Sequence, residues 1–178
     1  MATKTWALDP THSDVQFKIK HLMITNVTGS FDIFTVSAQT EDEDFTKAKV
    51  SFTGDVNSIS TNNEQRDGHL KAPDFFDAEK FPQIKFEATK AENVDSDGSY
   101  ELYGDLTIRD VTKNVKLSVE FGGVAKDMYG NTKAGFTING KINRKDFGLT
   151  WSAVTEAGGV VVSDEVKIAA EIQLIEQA

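Results

Sequence analysis

Cysteine is absent from this 178-residue chain, which excludes disulfide bonds and thiolate chemistry. Long apolar runs are absent too: none is long enough to span a bilayer, and the N-terminus carries no apolar segment of signal-peptide length. We therefore expect no stable membrane insertion. As written, the sequence predicts a cytoplasmic protein. It predicts a periplasmic or secreted one if a signal peptide has been removed.

Positive charge is sparse. The chain has 19 lysines and arginines against 28 aspartates and glutamates, for a net charge of −9. Nucleic acids and anionic membranes are bound by clustered basic side chains, and here the lysines are scattered, so we expect no nucleic-acid partner. A content of 39% hydrophobic and 26% charged residues is ordinary for a globular protein, and the length predicts a single domain over residues 1–178.

Motifs that carry chemistry are also missing. The three histidines, His12, His21 and His69, do not stand at zinc-binding spacing, and there is no cysteine to complete a metal site. The chain contains no Gly-x-Ser-x-Gly elbow, no phosphate-binding glycine loop and no dinucleotide fingerprint. The sequence therefore predicts a protein that is not an enzyme, with no cofactor, no metal and no catalytic residue.

Alternation of apolar and polar residues dominates what the chain does contain. It predicts about eight strands, at 15–19, 31–36, 48–56, 84–88, 100–108, 115–121, 134–142 and 166–174. Each strand has one apolar and one polar face, as in antiparallel sheets that are wet on one side, and hairpin-type turns separate several of them. Eight such strands close most economically into an up-and-down barrel, because closure removes the exposed edges.

The interior of this barrel is predicted from the small residues on the inward faces. They are Ala48, Gly54, Ala88, Gly104, Ala134, Gly140 and Ala170. Filled barrels prefer bulky branched side chains, whereas eight strands can also leave room for one ligand, so the pattern favours a cavity. The alternative is that the glycines mark bends and tapering ends of the strands.

Residues 61–82 interrupt the strand pattern. They predict a short helix, capped by Asn62 or Asn63, that lies as a flap over one end of the barrel. Two interpretations of Arg66, Asp67 and His69 remain open. They contact the head group of a ligand at the barrel mouth, or they form an ion pair and hydrogen bonds that hold the flap in place.

Several ordered motifs then suggest a family. They are WALDPTHS at 6–13, FKIKH at 17–21, GSF at 29–31, RDGHL at 66–70 leading to FP at 81–82, GDLTIRDVTK at 104–113 and INRKDFGL at 142–149. With these motifs the chain resembles the bacterial YceI-like proteins, described as polyisoprenoid-binding, lipocalin-like barrels. The resemblance implies an all-β protein: an eight-stranded antiparallel lipocalin-like barrel with a short helical flap, holding an isoprenoid chain without cofactor chemistry.

The expected function is non-enzymatic binding, either as a carrier or for sequestration, of an amphiphilic isoprenoid lipid such as a prenyl lipid or a quinone. Burying a twenty-carbon tail offers roughly 16 kcal/mol before ordering and association costs, so the tail can supply the affinity. The residues expected to contact the ligand are Phe17, Ile19, His21, Phe52, Phe75, Phe76, Phe86, Leu102, Leu106, Phe136 and Ile138.

Two alternatives come from other functional classes. One is an enzyme or stress-response protein that acts on an isoprenoid or other lipid, for which His21 is the obvious candidate acid or base. The other is a filled barrel that binds a protein partner. A homodimer is left open as well.

Overall fold

A computed structural model describes residues 3–21, 24–42, 44–73, 75–149 and 162–177, with His21 and Val162 described for the backbone alone. The strands are β1 (Thr3–Leu8), β2 (Asp14–His21), β3 (Thr25–Phe31), β4 (Phe34–Glu41), β5 (Asp44–Asp55), β6 (Ile59–Ser60), β7 (Gln83–Glu92), β8 (Tyr100–Ile108), β9 (Val111–Lys126), β10 (Thr132–Asn143) and β11 (Val162–Glu176). The helix α1 spans Glu64–Lys71, and 3-10 turns span Pro10–His12, Val56–Ser58 and Arg144–Phe147.

The strands form one closed antiparallel barrel. β1 and β2 both pair with β11, with Trp6 opposite Glu176 and Asp14 opposite Glu171, so together they make one interrupted strand. β3 and β4 make a second one in the same way, because β3 pairs with β2 and β4 pairs with β1. With β5, β7, β8, β9, β10 and β11 these give an eight-stranded meander in the described part of the chain. The predicted barrel is confirmed.

The interruption between β1 and β2 is held by a buried carboxylate. Asp9 is 5% exposed and accepts hydrogen bonds from the backbone N–H and the hydroxyl of Thr11. Its other oxygen lies 2.8 Å from Nδ1 of His12 and 2.6 Å from Nζ of Lys133 on β10. The Lys133 ammonium holds the pKa of the Asp9 carboxyl far below its usual range. The interruption between β1 and β2 is therefore tied to β10, which lies on the other side of β11.

One end of the barrel, called the closed end below, is filled by rings. Trp6 is fully buried, and its indole N–H donates a 2.9 Å hydrogen bond to the hydroxyl of Thr40. The ring of Phe45 lies 5.0 Å from that of Trp6 and 4.9 Å from that of Phe136, and Phe121 lies 5.3 Å from Phe136. Such tilted and edge-on contacts are the favoured geometries of aromatic pairs, so this end is stably packed.

Two of the inward glycines make room for side chains of neighbouring strands. A side chain on Gly104 would collide with the ring of Phe86, and one on Gly140 would collide with Leu117. In each case the larger side chain belongs to a neighbouring strand and lies over the glycine. At these two positions the predicted link between small inward residues and space for a ligand is wrong, because the glycines make room for neighbouring side chains of the barrel itself.

Candidate ligand-binding cavity

A cavity nevertheless lies inside the barrel. Its volume is about 410 Å³, within the range of small-molecule sites, and its walls are mostly apolar side chains from the barrel strands. Ten of the residues expected to contact a ligand line it: Phe17, Ile19, Phe52, Phe75, Phe76, Phe86, Leu102, Leu106, Phe136 and Ile138. A filled barrel does not fit this interior. That these residues touch a ligand stays a prediction.

His21 is the remaining residue of that set. Its backbone ends β2 and pairs with Thr25 of β3 and Val162 of β11. Its side chain lies outside the described residues, so the role expected for His21 stays a prediction too.

The predicted flap covers the other end of the barrel, called the mouth below. Helix α1 begins after Asn63, whose side-chain oxygen accepts a 3.0 Å hydrogen bond from the backbone N–H of Arg66, so Asn63 is the cap. Phe75 and Phe76 follow the helix and line the cavity. The ring of Phe76 meets that of Phe31 edge-on at 6.3 Å. The flap thus continues the apolar wall of the cavity.

A hydrogen-bond network fastens the flap at the mouth. Asp67 accepts from both the backbone N–H and the hydroxyl of Thr61, at 2.8 and 2.5 Å. Arg66 donates from Nε to the hydroxyl of Thr61 and from Nη2 to its carbonyl oxygen, both at 2.8 Å. The two charged side chains are therefore joined through Thr61, a residue that the sequence did not single out. His69 lies against Phe75, with ring centroids 5.0 Å apart.

Both interpretations of the flap residues gain support from this geometry. The network holds the flap, while Thr61, Arg66 and His69 also line the cavity. Arg66 is exposed, and its Nε and Nη2 both donate to Thr61. Arg66 and His69 thus stand at the mouth beside the rings of Phe75 and Phe76, while the closed end is packed by the rings around Phe45.

Arg144 is a cavity residue that the sequence predicted only as part of a family motif. It is 2% exposed, and burial lowers the pKa of its guanidinium. Nε donates to the carbonyl of Ser163 at 2.9 Å, and Nη1 donates to that of Leu149 at 2.6 Å. Its Nη2 lies 3.7 Å from a carboxylate oxygen of Asp164. Arg144 therefore binds the turn after β10 to the start of β11. Only its long-range partners give it this role, and sequence cannot show them.

One described residue of the cavity wall, Tyr100, carries a phenol. Burial raises the pKa of Tyr100, a lining residue, to about 12, so its phenol stays neutral at ordinary pH. In the part of the chain that the structure describes, no group of three or more His, Cys, Asp or Glu side chains could hold a metal ion. Over the same residues, no helix is long and apolar enough to cross a membrane.

These features define a class: a closed antiparallel barrel with an internal apolar cavity and a helical flap at its mouth. Comparison with known families agrees, since the profile of the YceI-like domain matches residues 6–174. The chain belongs to the YceI-like family.

Individual relatives and solved structures are also similar to this chain. A UPF0312 protein of Staphylococcus aureus strain N315 is 39% identical over 169 residues, covering 94% of this chain and 95% of the relative. The crystal structure of the Campylobacter jejuni YCEI protein is 37% identical, with a TM-score of 0.76 over 96% of this chain and 97% of that one. Burkholderia cenocepacia BcnA, at 22% identity, shares the fold, with a TM-score of 0.77 over 93% and 98% of the two chains.

Proposed function

We propose that this protein binds an amphiphilic isoprenoid lipid, a prenyl lipid or a quinone, and carries or sequesters it without chemical change. The apolar cavity of about 410 Å³ inside the barrel carries this proposal. A domain from Saccharophagus degradans described as polyisoprenoid-binding has the same fold at 15% identity, with a TM-score of 0.64 over 97% of this chain and 98% of that domain. That likeness supports the fold, and the ligand class rests on the cavity.

The distribution of polar groups gives the ligand a direction. An apolar tail gains by leaving water for the ring-lined closed end. An oxygen-bearing head group cannot be buried there without loss, because an unpaired polar group in an apolar site costs free energy. At the mouth, the same head group meets the guanidinium of Arg66 and the ring of His69. The amphiphile therefore enters tail first and leaves its head at the flap.

Mass spectrometry of organic extracts tests the proposal. Protein purified from its native host, without detergent, should yield a prenyl lipid or quinone. The control is Ala170→Phe, which places a ring in the cavity from β11, where Ala170 is 7% exposed and faces Ile138 of β10 and Val15 of β2. This variant should retain its circular dichroism spectrum and lose the lipid. Wild-type extracts without lipid, together with no uptake of added prenyl alcohols, would refute the proposal.

The absence of catalysis is tested separately. Wild-type protein incubated with a bound prenyl alcohol should return it chemically unchanged. A product that forms with the wild type and fails to form with His21→Ala would make the protein an enzyme.

A further inference from the structure

Strand register brings together three lysines that are far apart in the sequence. Lys141 of β10 stands directly opposite Lys167 of β11, and Lys167 stands directly opposite Lys18 of β2. Neighbouring strands lie about 4.8 Å apart, so this row of three, called the lysine row below, is about 10 Å long. All three lysines are exposed. A chain with a net charge of −9 therefore carries a local cluster of positive charge.

The lysine row lies on the outer surface of the barrel. Phe17 and Ile19 flank Lys18 and line the cavity, and both neighbours of Lys167 in β11 line it as well. Successive side chains of a strand point to opposite faces of the sheet, so the lysines between them point outward. None of the three lysines lines the cavity. The row is thus separate from the proposed ligand site.

The repulsion within the row is only partly relieved inside the protein. Like charges directly opposite each other on two strands are destabilising. Nζ of Lys141 lies 3.8 Å from a carboxylate oxygen of Glu165. Over the residues that the structure describes, Lys18 and Lys167 form no ion pair. A negatively charged partner is what these two side chains lack.

Charge on this face changes sign toward the closed end. The next outward row on that side, Gln16, Ala169 and Asn139, is uncharged, and Asp14 stands opposite Glu171 in the row after it. Four residue steps, about 13 Å, separate these two acids from the lysine row. Salt at physiological concentration screens charges over about 8 Å, so the acids do not neutralise the row. They repel a negative surface from the closed end.

The charges on the mouth side of the row balance in number. Lys20 and Lys145 stand there with Asp164 and Glu165, and Nζ of Lys145 lies 3.3 Å from a carboxylate oxygen of Asp164. The lysine row therefore keeps its positive charge, and this face becomes more positive from the closed end toward the mouth.

An exposed apolar residue stands at the mouth end of the same face. Ile24 lies in the turn between β2 and β3 and is 78% exposed. The residue after it, Thr25, pairs with His21, the last residue of β2. An isoleucine in water gains free energy by entering an apolar phase. Apolar residues flanked by lysines are typical of elements that lie in a membrane interface.

We propose that the lysine row and Ile24 dock the mouth side of the barrel onto an anionic lipid bilayer. The lysines meet the negative lipid head groups, Ile24 enters the interface, and the acids near the closed end point away. Docking is reversible, because three lysines and one isoleucine contribute far less than a membrane-spanning segment. It goes beyond the proposed binding of a lipid, since it brings the mouth to the phase that holds such lipids.

Vesicle flotation tests the lysine row. At about 0.1 M salt the protein should float with vesicles of equal parts phosphatidylglycerol and phosphatidylcholine, and should not float with phosphatidylcholine alone. The double variant Lys18→Gln/Lys167→Gln should bind the anionic vesicles about 25-fold more weakly, since each lysine near an anionic surface contributes about fivefold. If the wild type does not float with the anionic vesicles, no docking occurs and the proposal is wrong.

A second double variant separates the row from the net charge. Lys47→Gln/Lys49→Gln makes the same change of charge at two exposed lysines of β5, a strand that does not adjoin β2, β10 or β11. This control should bind like the wild type. Equal losses in the two double variants would show that only net charge matters and that the lysine row is not the docking surface.

The apolar contact is tested at Ile24. Ile24→Ser should weaken binding to the anionic vesicles by about tenfold, because the lost side chain no longer enters the interface. Ile33→Ser is the matched control, since Ile33 is 62% exposed between β3 and β4, away from the mouth end of β2. If Ile24→Ser binds like the wild type, Ile24 takes no part in docking.

A fluorescent label tests the orientation of the barrel. The chain has no cysteine, so one introduced cysteine can carry a nitrobenzoxadiazole dye. On Ile24→Cys the dye should brighten and shift to the blue when anionic vesicles are added. On Met128→Cys, in the turn between β9 and β10 at the closed end and 86% exposed, it should stay unchanged. The reverse result would show that the closed end docks, against the proposal.

Docking and lipid binding fail separately in these experiments, because none of them uses a bound prenyl lipid or quinone. Protein that floats with anionic vesicles but yields no lipid on extraction docks without the proposed function. Protein that yields the lipid but does not float has the proposed function without docking.

Discussion

The ring of Phe86 on β7 occupies the space that a side chain on Gly104 of β8 would fill. The two residues are diagonal neighbours, since Phe86 stands opposite Leu106 and Gly104 stands opposite Ala88. A Cβ on Gly104 would also lie 2.7 Å from the backbone carbonyl oxygen of Glu87, a group that cannot rotate away. The position of Phe86 in the cavity wall therefore depends on glycine at 104.

Gly104→Ala should consequently lower the free energy of unfolding by about 1–3 kcal/mol, the usual cost of overpacking. It should also speed the release of a prenyl ligand, because the displaced ring enters the cavity. Urea denaturation and vesicle transfer measure the two effects. Gly135→Ala is the control, since a Cβ there meets no atom within 4 Å and should leave both nearly unchanged. If Gly104→Ala were as stable as the wild type, the position of Phe86 would not depend on glycine at 104.

Phe76→Ala tests the flap. Phe76 is only partly buried and contacts Phe31 edge-on, so its removal opens the mouth and costs little folding energy. The release rate of a prenyl alcohol should rise by about tenfold while the melting temperature falls by only a few degrees. Stopped-flow transfer to vesicles and thermal denaturation measure these.

Phe75→Ala provides the comparison for that experiment. Phe75 is 7% exposed, so its loss should destabilise the protein more than the loss of Phe76 does. Should Phe76→Ala unfold the protein instead, with no separate effect on release, the segment would be core and would not act as a flap.

The sequence predicted the barrel well because its signal is local. Alternation with a period of two marks each strand, and the predicted strand at 31–36 lies where β3 ends and β4 begins. The break between those two strands was missed, because the alternation continues across Asp32 and Ile33 and only the pairing of the two halves with β2 and β1 reveals it. The strand β1, and with it the break that contains Asp9, was not predicted, since the first predicted strand begins at residue 15.

The site was predicted less completely. Inward alternation correctly placed residues such as Phe52 and Leu102 on the cavity wall. The polar residues of the cavity lining were harder to predict, since Thr61 and Arg144 owe their roles to partners that are not adjacent in sequence. No basic cluster is visible in the sequence, yet Arg66 and Arg144 both line the same cavity.

Arg66 should recognise an oxygen in the ligand head group. Replacing it with glutamine should weaken binding of a prenyl alcohol by about 1.5–3 kcal/mol, the range for hydrogen bonds to charged groups. Binding of a prenyl hydrocarbon of the same length, which has no oxygen, should change much less. Titration calorimetry with both ligands measures the difference.

Arg109→Gln is the matched control for Arg66. Arg109 stacks on Phe81 at 5.8 Å and donates to the carbonyl of Gly148, but it does not line the cavity. Its replacement should affect both ligands equally. An equal loss for alcohol and hydrocarbon in Arg66→Gln would show that Arg66 acts only through the flap.

The ion pair between Asp9 and Lys133 should make stability depend on acid pH. Because Lys133 lowers the pKa of Asp9 in the folded protein, the pair stabilises the fold above pH 4, where an unfolded aspartate is ionised. This stabilisation is lost as the pH falls below that value. Asp9→Asn should therefore reduce the free energy of unfolding by about 1.5–3 kcal/mol at pH 7. The difference from the wild type should shrink steadily from pH 4 to pH 2. Urea denaturation across this range measures the difference.

Asp97→Asn, in an exposed turn, is the control and should match the wild type throughout. A difference between Asp9→Asn and wild type that stays constant from pH 7 to pH 2 would show that the carboxylate acts through shape and not through charge.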